Sequence, residues 1–281
     1  MARRPRPAVA AVTWRDGVHL TATPIWCDAR RRRDVCFVSS ADRVGKAGHG
    51  QLIATPQTLA LLGAGTGHLA VPLRKPFTLG TLRLELLPSG RGVGAAALFV
   101  DLGARRVLYA GAIRTETAEV RECDAIVVAA ATDATTLPSL DEAVARVAKW
   151  ARGQLAAGKR PVLVVDSIVD AIEVASALPL PVACPRAVCD AAARAGLAKL
   201  RAKGDVQLRV GAHDGARVAV DGDLVWPFAA TRAQLLAWIE RSGARDIYLT
   251  GAAAESIAAA LGPRARVLGP PQQMTLFREA R

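Results

Sequence analysis

The sequence changes character between Asp133 and Pro138. Before this point, short apolar segments such as residues 35–39 and 96–100 alternate with turn residues, a pattern that predicts strands packed into a sheet sandwich. After it, amphipathic helical patterns alternate with short apolar segments, beginning at Ser139, whose spacing to Glu142 is that of a capping box. The sequence therefore predicts a mixed α/β (α+β) fold with two differently built parts.

Two local features of the second part, a helix end and a hairpin, are predicted from the position of a glycine and from the spacing of apolar segments. Residues 187–203 have a helical pattern that we expect to end at Gly204, because glycine commonly terminates helices. Residues 206–210 and 216–220 are strand-like and close together in sequence, which favours a β-hairpin.

The charge balance favours a polyanionic partner. Lys and Arg number 37 against 25 Asp and Glu, a net charge of +12. Such a surplus suits nucleic acid first, and acidic proteins or membranes second. Residues 30–33 are four consecutive arginines, and Arg3, Arg4 and Arg6 form a second group. The alternative is an arginine-rich composition spread evenly over the surface.

The hydrophobic content is 51%, but no run approaches the roughly 18–20 apolar residues that a membrane span needs. The apolar stretch of residues 8–12 is too short for a signal-peptide core. We therefore expect a cytoplasmic protein with no membrane partner.

Cysteine and histidine usage argues against a resident metal. The five cysteines are odd in number and contain no Cys-x-x-Cys pair, so we interpret them as buried small apolar residues. No two of the four histidines have i, i+2 or i, i+4 spacing. No serine lies in a Gly-x-Ser-x-Gly motif. We predict no metal and no cofactor.

Five segments, in order, resemble motifs of a known family. They are residues 48–58, 87–94, 107–112, 123–127 and 242–251. Together they resemble metallo-β-lactamase-fold nucleases of the β-CASP type, and most closely the DNA-ligase-associated exonucleases of bacteria. The likeness spans residues from about 8 to 268.

The resemblance implies an αββα metallo-β-lactamase fold with a shortened β-CASP-like insert. The expected divisions are residues 1–137 and 229–268 for the core, 138–228 for the insert and 269–281 for a flexible tail.

The departures from the family pattern fall on its metal ligands. Where the H-x-H-x-D-H signature belongs, Ser39 and Ala41 replace histidines, Arg43 replaces the aspartate and Val44 replaces the last histidine. The remaining departures are Arg91 for a ligand histidine, Ala112 for the bridging aspartate, Gly251 for the final histidine, and the missing Asp-His pair near residues 226–228. Two metal ions would activate water in such an enzyme, so we expect no catalysis.

Two arginines would then lie where the family's cations lie. Arg43 and Arg91 would repel a metal, and a cationic pocket could hold a phosphate without cleaving it. The alternative is a pocket that has collapsed around Val44 and Ala112.

The last residues resemble the short motif by which bacterial repair proteins bind the replicative sliding clamp. Its residues are Gln273, Met274, Thr275, Leu276 and Phe277. Leu276 and Phe277 would fill an apolar pocket, and Pro270 and Pro271 favour an extended tail. The alternative is a terminal strand of the core.

Together these features predict a non-catalytic accessory protein of bacterial DNA repair or replication. It would bind DNA, or RNA, and the sliding clamp; a DNA ligase, a helicase or a repair polymerase are further candidate partners. The nucleic-acid-binding residues would be Arg30, Arg31, Arg32, Arg33, Arg43 and Arg91.

Two other functions stay open at the level of the sequence. One is an active metal-dependent exonuclease with unusual ligands, for which Asp42, His49, Asp124 and Asp133 are the candidates. The other is a protein–protein adaptor whose positive charge has no role in binding.

Overall fold

The computed structural model describes residues 10–43 and 48–270. The strands in this part of the chain are β1 Val12–Trp14, β2 Val18–Leu20, β3 Ile25–Cys27, β4 Val35–Phe37, β5 Gln51–Ala54, β6 Leu69–Ala70, β7 Phe77–Leu79, β8 Leu82–Pro88, β9 Ala96–Asp101, β10 Arg106–Gly111, β11 Ala125–Ala129, β12 Val162–Val165, β13 Val182–Ala183, β14 Val206–Val210, β15 Ala216–Ala219, β16 Leu224–Val225, β17 Asp246–Thr250 and β18 Ala265–Val267. The helices are α1 Pro56–Leu62, α2 Leu140–Ala156, α3 Ile168–Ala177, α4 Arg186–Arg194, α5 Arg232–Arg241 and α6 Ala254–Leu261.

Two sheets pack face to face through one apolar core. The first sheet has the order β1-β2-β3-β4-β5-β6, and the second has the order β18-β17-β11-β10-β9-β8-β7. Phe37 and Ile53 of the first sheet share a core with Leu98, Tyr109 and Tyr248 of the second. This core is the interior of the sandwich.

Helices cover the outer face of each sheet. Because side chains alternate between the faces of a strand, Tyr109 of β10 points into the sandwich while Leu108 points outward. Leu108 packs there with Trp238 of α5 and Ile257 of α6, and Leu59 of α1 packs against the first sheet. The layers are therefore helix, sheet, sheet and helix.

A third sheet interrupts the second one in sequence. Its order is β13-β14-β12-β15-β16 and all its pairings are parallel. Side chains of α2, α3 and α4 pack with it around the fully buried Trp226. The chain then returns to the sandwich, where β17 pairs in parallel with β11. Residues 138–228, the predicted insert, contain all of this unit's helices and strands.

Several sequence predictions are confirmed. The fold is mixed α/β, with six helices and several sheets in the described residues. Ser139 and Glu142 form the predicted capping box at the start of α2. All five cysteines are free, and four of them are buried. None of the helices within the described ranges is both long and apolar enough to cross a membrane.

The predicted hairpin is wrong. β14 and β15 do not pair with each other; both pair in parallel with β12, one on each side. Three of the four residues of β12 are buried, so this apolar strand lies in the middle of the sheet with a neighbour on both edges.

The predicted end of the helix at Gly204 is also wrong, because α4 ends at Arg194. Gly196 follows with a φ of 69°, and the Leu197 N–H donates to the Ala192 carbonyl. Together with the bond from the Gly196 N–H to the Ala193 carbonyl, this bond forms a Schellman cap, which is a complete helix end by itself.

Candidate functional site

A cavity of about 710 Å³ lies at the carboxyl-terminal ends of β3, β10, β11, β17 and β18. Ligands commonly bind in the crevice outside the carboxyl ends of strands. The residues that line the cavity are Trp14, Cys27, Asp28, Arg30, Arg43, Tyr109, Gly111, Ala129, Thr250, Gly251, Ala252, Ala254, Glu255 and residues 267–270.

The polar centre of this cavity is Asp28, directly after β3. Asp28 has a φ of 47°, the left-handed region that aspartate and asparagine tolerate better than most residues. Its carboxylate accepts hydrogen bonds from the Ser39 N–H at 2.8 Å, the Ser39 hydroxyl at 2.5 Å and the Tyr109 hydroxyl at 2.8 Å. Burial raises the pKa of Asp28, although these bonds and the positive charge of Arg43 act in the opposite direction.

Gly111 makes room for this arrangement. It lies beside a register irregularity at the end of β10 and has a φ of 61°. A Cβ atom at Gly111 would lie 2.7 Å from the Ser39 hydroxyl oxygen, which is closer than real Cβ contacts. Glycine is therefore needed for Ser39 to reach Asp28.

The four consecutive arginines do not share one environment. Arg30 lines the cavity and Arg32 is exposed. Arg31 forms an ion pair with Asp16 at 3.0 Å. The Arg33 guanidinium lies 3.7 Å from the centre of the Trp26 ring and donates to the Arg15 carbonyl. Arg30 and Arg32 are thus the members best placed to meet a ligand.

Arg43 and Arg91 are separated by the structure. Arg43 is exposed and lines the cavity, whereas Arg91 is 9% exposed and does not line it. The Arg91 Nη2 atom lies 2.7 Å from Asp170 and 3.4 Å from Asp42. Burial acts to lower the pKa of Arg91, but the two carboxylates raise it overall. The prediction that Arg91 is a basic residue of the pocket is therefore wrong. In the structure, Arg91 belongs to a buried cluster of charges with Asp42 and Asp170.

Positions that the family resemblance links to metal binding carry few ligand atoms. Ser39 is bonded to Asp28, Ala112 is buried and Gly251 lines the cavity with a φ of 97°. Across residues 10–43 and 48–270, no three His, Cys, Asp or Glu side chains lie together so that they could hold a metal ion. Val44 and the clamp-like segment of residues 273–277 lie outside the described residues.

The candidate ligands of the active-nuclease hypothesis have other contacts. His49 is buried; its Nδ1 accepts from the Arg33 N–H, and burial lowers its pKa. Asp124 accepts from the Arg106 N–H, Asp42 pairs with Arg91, and Asp133 is exposed.

Sequence reasoning did not single out Asp28, Tyr109 or Trp14 as site residues. One signal was present for Asp28, because a carboxylate directly after an apolar strand often lies at a sheet's functional edge. Tyr109 lies within a segment that carries the family resemblance, but its partner Asp28 is 81 residues away.

The comparisons with known proteins concern the fold alone. No protein-family model matches the sequence, and no curated protein matches it. Solved structures do match, among them the crystal structure of a protein of unknown function from Enterococcus faecalis V583. That structure has a TM-score of 0.56 and 10% sequence identity, and the match covers 84% of this chain and 79% of the other.

Proposed function

We propose that this chain is a non-catalytic relative of the metallo-β-lactamase-fold nucleases of the β-CASP type. It would bind nucleic acid at the cavity and its rim, and dock on the bacterial sliding clamp through its tail. The four layers, and the insertion of a parallel α/β unit between two neighbouring strands, support the fold part of the proposal.

One observation carries the functional part. The cavity is lined by Arg30 and Arg43, and the described part of the chain holds no group of three metal-ligating side chains. A nuclease of this kind needs clustered ligands for metal ions that activate water. Exposed guanidinium groups need no metal to bind a phosphate, because they donate charge-assisted hydrogen bonds to its oxygens.

The carboxylate of Asp28 is compatible with a binding role. It is held by Ser39 and Tyr109 as an internal structural group at the wall of the cavity. Trp14, half-buried at the same cavity, offers an aromatic face. Stacking of bases on aromatic rings is independent of sequence, so we expect binding without strong base preference.

The proposal is tested with the full-length protein and a labelled single-stranded oligonucleotide. We expect binding that weakens steeply as salt rises, with no degradation when Mn²⁺ or Zn²⁺ is added. Elemental analysis should find far less than one metal per chain. The matched variant is Arg43→Ala, which removes a cavity cation from an exposed position and should weaken binding, with only a small loss of thermal stability from the weaker electrostatic support of Asp28.

The other two hypotheses predict different results. Metal-dependent degradation that co-purifies with stoichiometric metal would establish the active exonuclease instead. A chain that binds the clamp but shows no oligonucleotide binding, even at low salt, would be the protein–protein adaptor.

A further inference from the structure

A buried cluster of charges joins the insert to the sandwich. Arg91 lies in the loop between β8 and β9, Asp42 lies in the loop after β4, and Asp170 lies in the first turn of α3. The side chains of all three are at most 11% exposed. The only cation in contact with both carboxylates, within the residues that the structure describes, is the guanidinium of Arg91.

The geometry of this contact differs from the usual arginine fork. A single nitrogen, Nη2, lies 2.7 Å from Asp170 Oδ1 and 3.4 Å from Asp42 Oδ2. The second terminal nitrogen, Nη1, is buried without a hydrogen-bond partner in the described structure, and so are Asp42 Oδ1 and Asp170 Oδ1, the latter in contact with Nη2 as an ion pair only. Arg91 therefore acts on the two carboxylates much as a point charge would, rather than through two parallel hydrogen bonds.

A neighbouring arginine at the same junction is bonded differently. Arg114 pairs with one carboxylate, Glu173, at 2.8 Å, and also donates to the Gly90 carbonyl. Glu173 receives a second bond from the indole N–H of Trp226. Arg114 is thus a matched comparison, because it is an arginine of the same junction that does not bridge two acidic side chains.

We propose that the Arg91 guanidinium takes the place of a divalent cation between Asp42 and Asp170, and that this carboxylate pair binds a divalent cation when the guanidinium is removed. Two carboxylate oxygens near one point are typical ligands of Mg²⁺, Mn²⁺ and Ca²⁺. The proposal concerns the internal cluster and does not depend on nucleic-acid or clamp binding.

Removing Arg91 alone leaves two partly desolvated acids with no counter-charge. Such an uncompensated pair is strongly unfavourable, so the folded state gains from any cation that neutralises it. Asp170 is already oriented, because its Oδ2 contacts the Ser167 hydroxyl at the start of α3. The site would therefore need little rearrangement beyond the space left by the arginine.

The test is the full-length Arg91→Ala protein titrated with MnCl₂, with NaCl at equal ionic strength as the reference. We expect a lowered melting temperature without Mn²⁺ and about one bound Mn²⁺ per chain, with a Kd of about 0.1–1 mM, as in weak carboxylate sites. At ten times that Kd, Mn²⁺ should raise the melting temperature by about 2–3 °C. The parent protein should show no such shift.

Three further variants make the result specific. Arg114→Ala should lose stability without gaining a response to Mn²⁺, and Arg91→Ala combined with Asp42→Asn and Asp170→Asn should lose the response. Arg91→Gln removes the charge, and with it the guanidinium that lies 5.2 Å from the centre of the Phe228 ring, but leaves a longer side chain than alanine does; it serves if the alanine variant does not fold. Absence of Mn²⁺ binding in Arg91→Ala or Arg91→Gln, or equal binding after both acids are neutralised, would overturn the proposal.

Discussion

The hydroxyl of Tyr109 donates a 2.8 Å hydrogen bond to the carboxylate of Asp28, joining β10 of the second sheet to the end of β3 in the first. Both residues line the cavity, so the bond fixes two of its walls relative to each other. Ser39 supplies two further hydrogen bonds to the same carboxylate.

Tyr109→Phe should lower the free energy of unfolding by about 1.5–3 kcal/mol, the usual range for a hydrogen bond to a charged group. Urea unfolding measures this loss. The control is Tyr248→Phe, which removes a hydroxyl from the same core that accepts only a 3.3 Å bond from the Ala11 N–H. Its cost should be smaller, about 0.5–1.5 kcal/mol. If both variants lose the same free energy of unfolding, the Tyr109–Asp28 hydrogen bond stabilises the fold no more than the longer bond at Tyr248 does.

The stability of the protein should depend on pH through Asp28. Its folded-state pKa is raised above the ordinary value of 3.8, mainly by burial, so the folded state holds this proton more tightly than the unfolded chain does. The stabilising contribution is complete below the ordinary value and is lost as the pH rises through the folded-state pKa. Above the folded-state pKa, Asp28 is charged in both the folded and the unfolded state. The cost of burying its charge then lowers the free energy of unfolding by an amount that no longer changes with pH.

Asp28→Asn isolates this effect, because asparagine tolerates the left-handed backbone and can still bond Ser39 and Tyr109. Relative to the parent, the variant should become progressively more stable as the pH rises from about 3.8, and the difference should then level off. Urea unfolding of both proteins across a pH series measures it. A stability difference that does not change with pH would rule out Asp28 as the titrating group.

Arg30 and Arg32 should contribute to nucleic-acid binding more than Arg31 and Arg33 do. Replacing Arg30 and Arg32 by Ala should reduce the slope of log K against log salt by about 1.4–1.8, if each contacts one phosphate. Fluorescence anisotropy at several salt concentrations measures the slope, and the melting temperature should stay unchanged.

The matched pair is Arg31→Ala with Arg33→Ala, which removes the same charge. Because Arg33 lies over Trp26, this variant should lose about 0.5–1 kcal/mol of stability. Its salt slope should change less than that of the first pair. Identical slopes for the two pairs would mean that the run acts only through its total charge.

The tail should bind the sliding clamp through Leu276 and Phe277, since apolar anchors usually dominate such contacts. Replacing both by Ala should abolish binding in calorimetric titration and leave the melting temperature nearly unchanged. If the segment instead belongs to the core, the same change would cost about 5 kcal/mol or more. A destabilised variant, together with no clamp binding by the parent, would contradict the docking hypothesis.

Local features were predictable from the sequence because their causes are local. The capping box of Ser139 and Glu142 depends on a spacing of three residues. The neighbours of β12 were not predictable in this way. Their arrangement depends on which edges of an apolar strand are available after the helices have packed, and this is a property of the whole unit.

The same reasoning explains what could be known of the site. Arg30 and Arg43 were predicted to bind nucleic acid; both line the cavity, and the binding itself stays a prediction. Arg91 was grouped with them, but its environment is set by Asp170, which comes from the insert and approaches only through tertiary packing. The sequence shows which residues are charged, but it does not show which residue of opposite charge will lie next to each of them in the folded protein.

The parallel pairing of β11 with β17 has a consequence for how the chain folds. Ala125 lies opposite Asp246, so the second sheet cannot be completed until the whole insert has been synthesised. Closing a loop of that length costs entropy while the loop is unfolded, and compaction of the insert shortens the distance to be closed. We therefore expect the insert to acquire structure before β17 pairs with β11. Until then, β11 would remain an exposed apolar edge that chaperones could recognise.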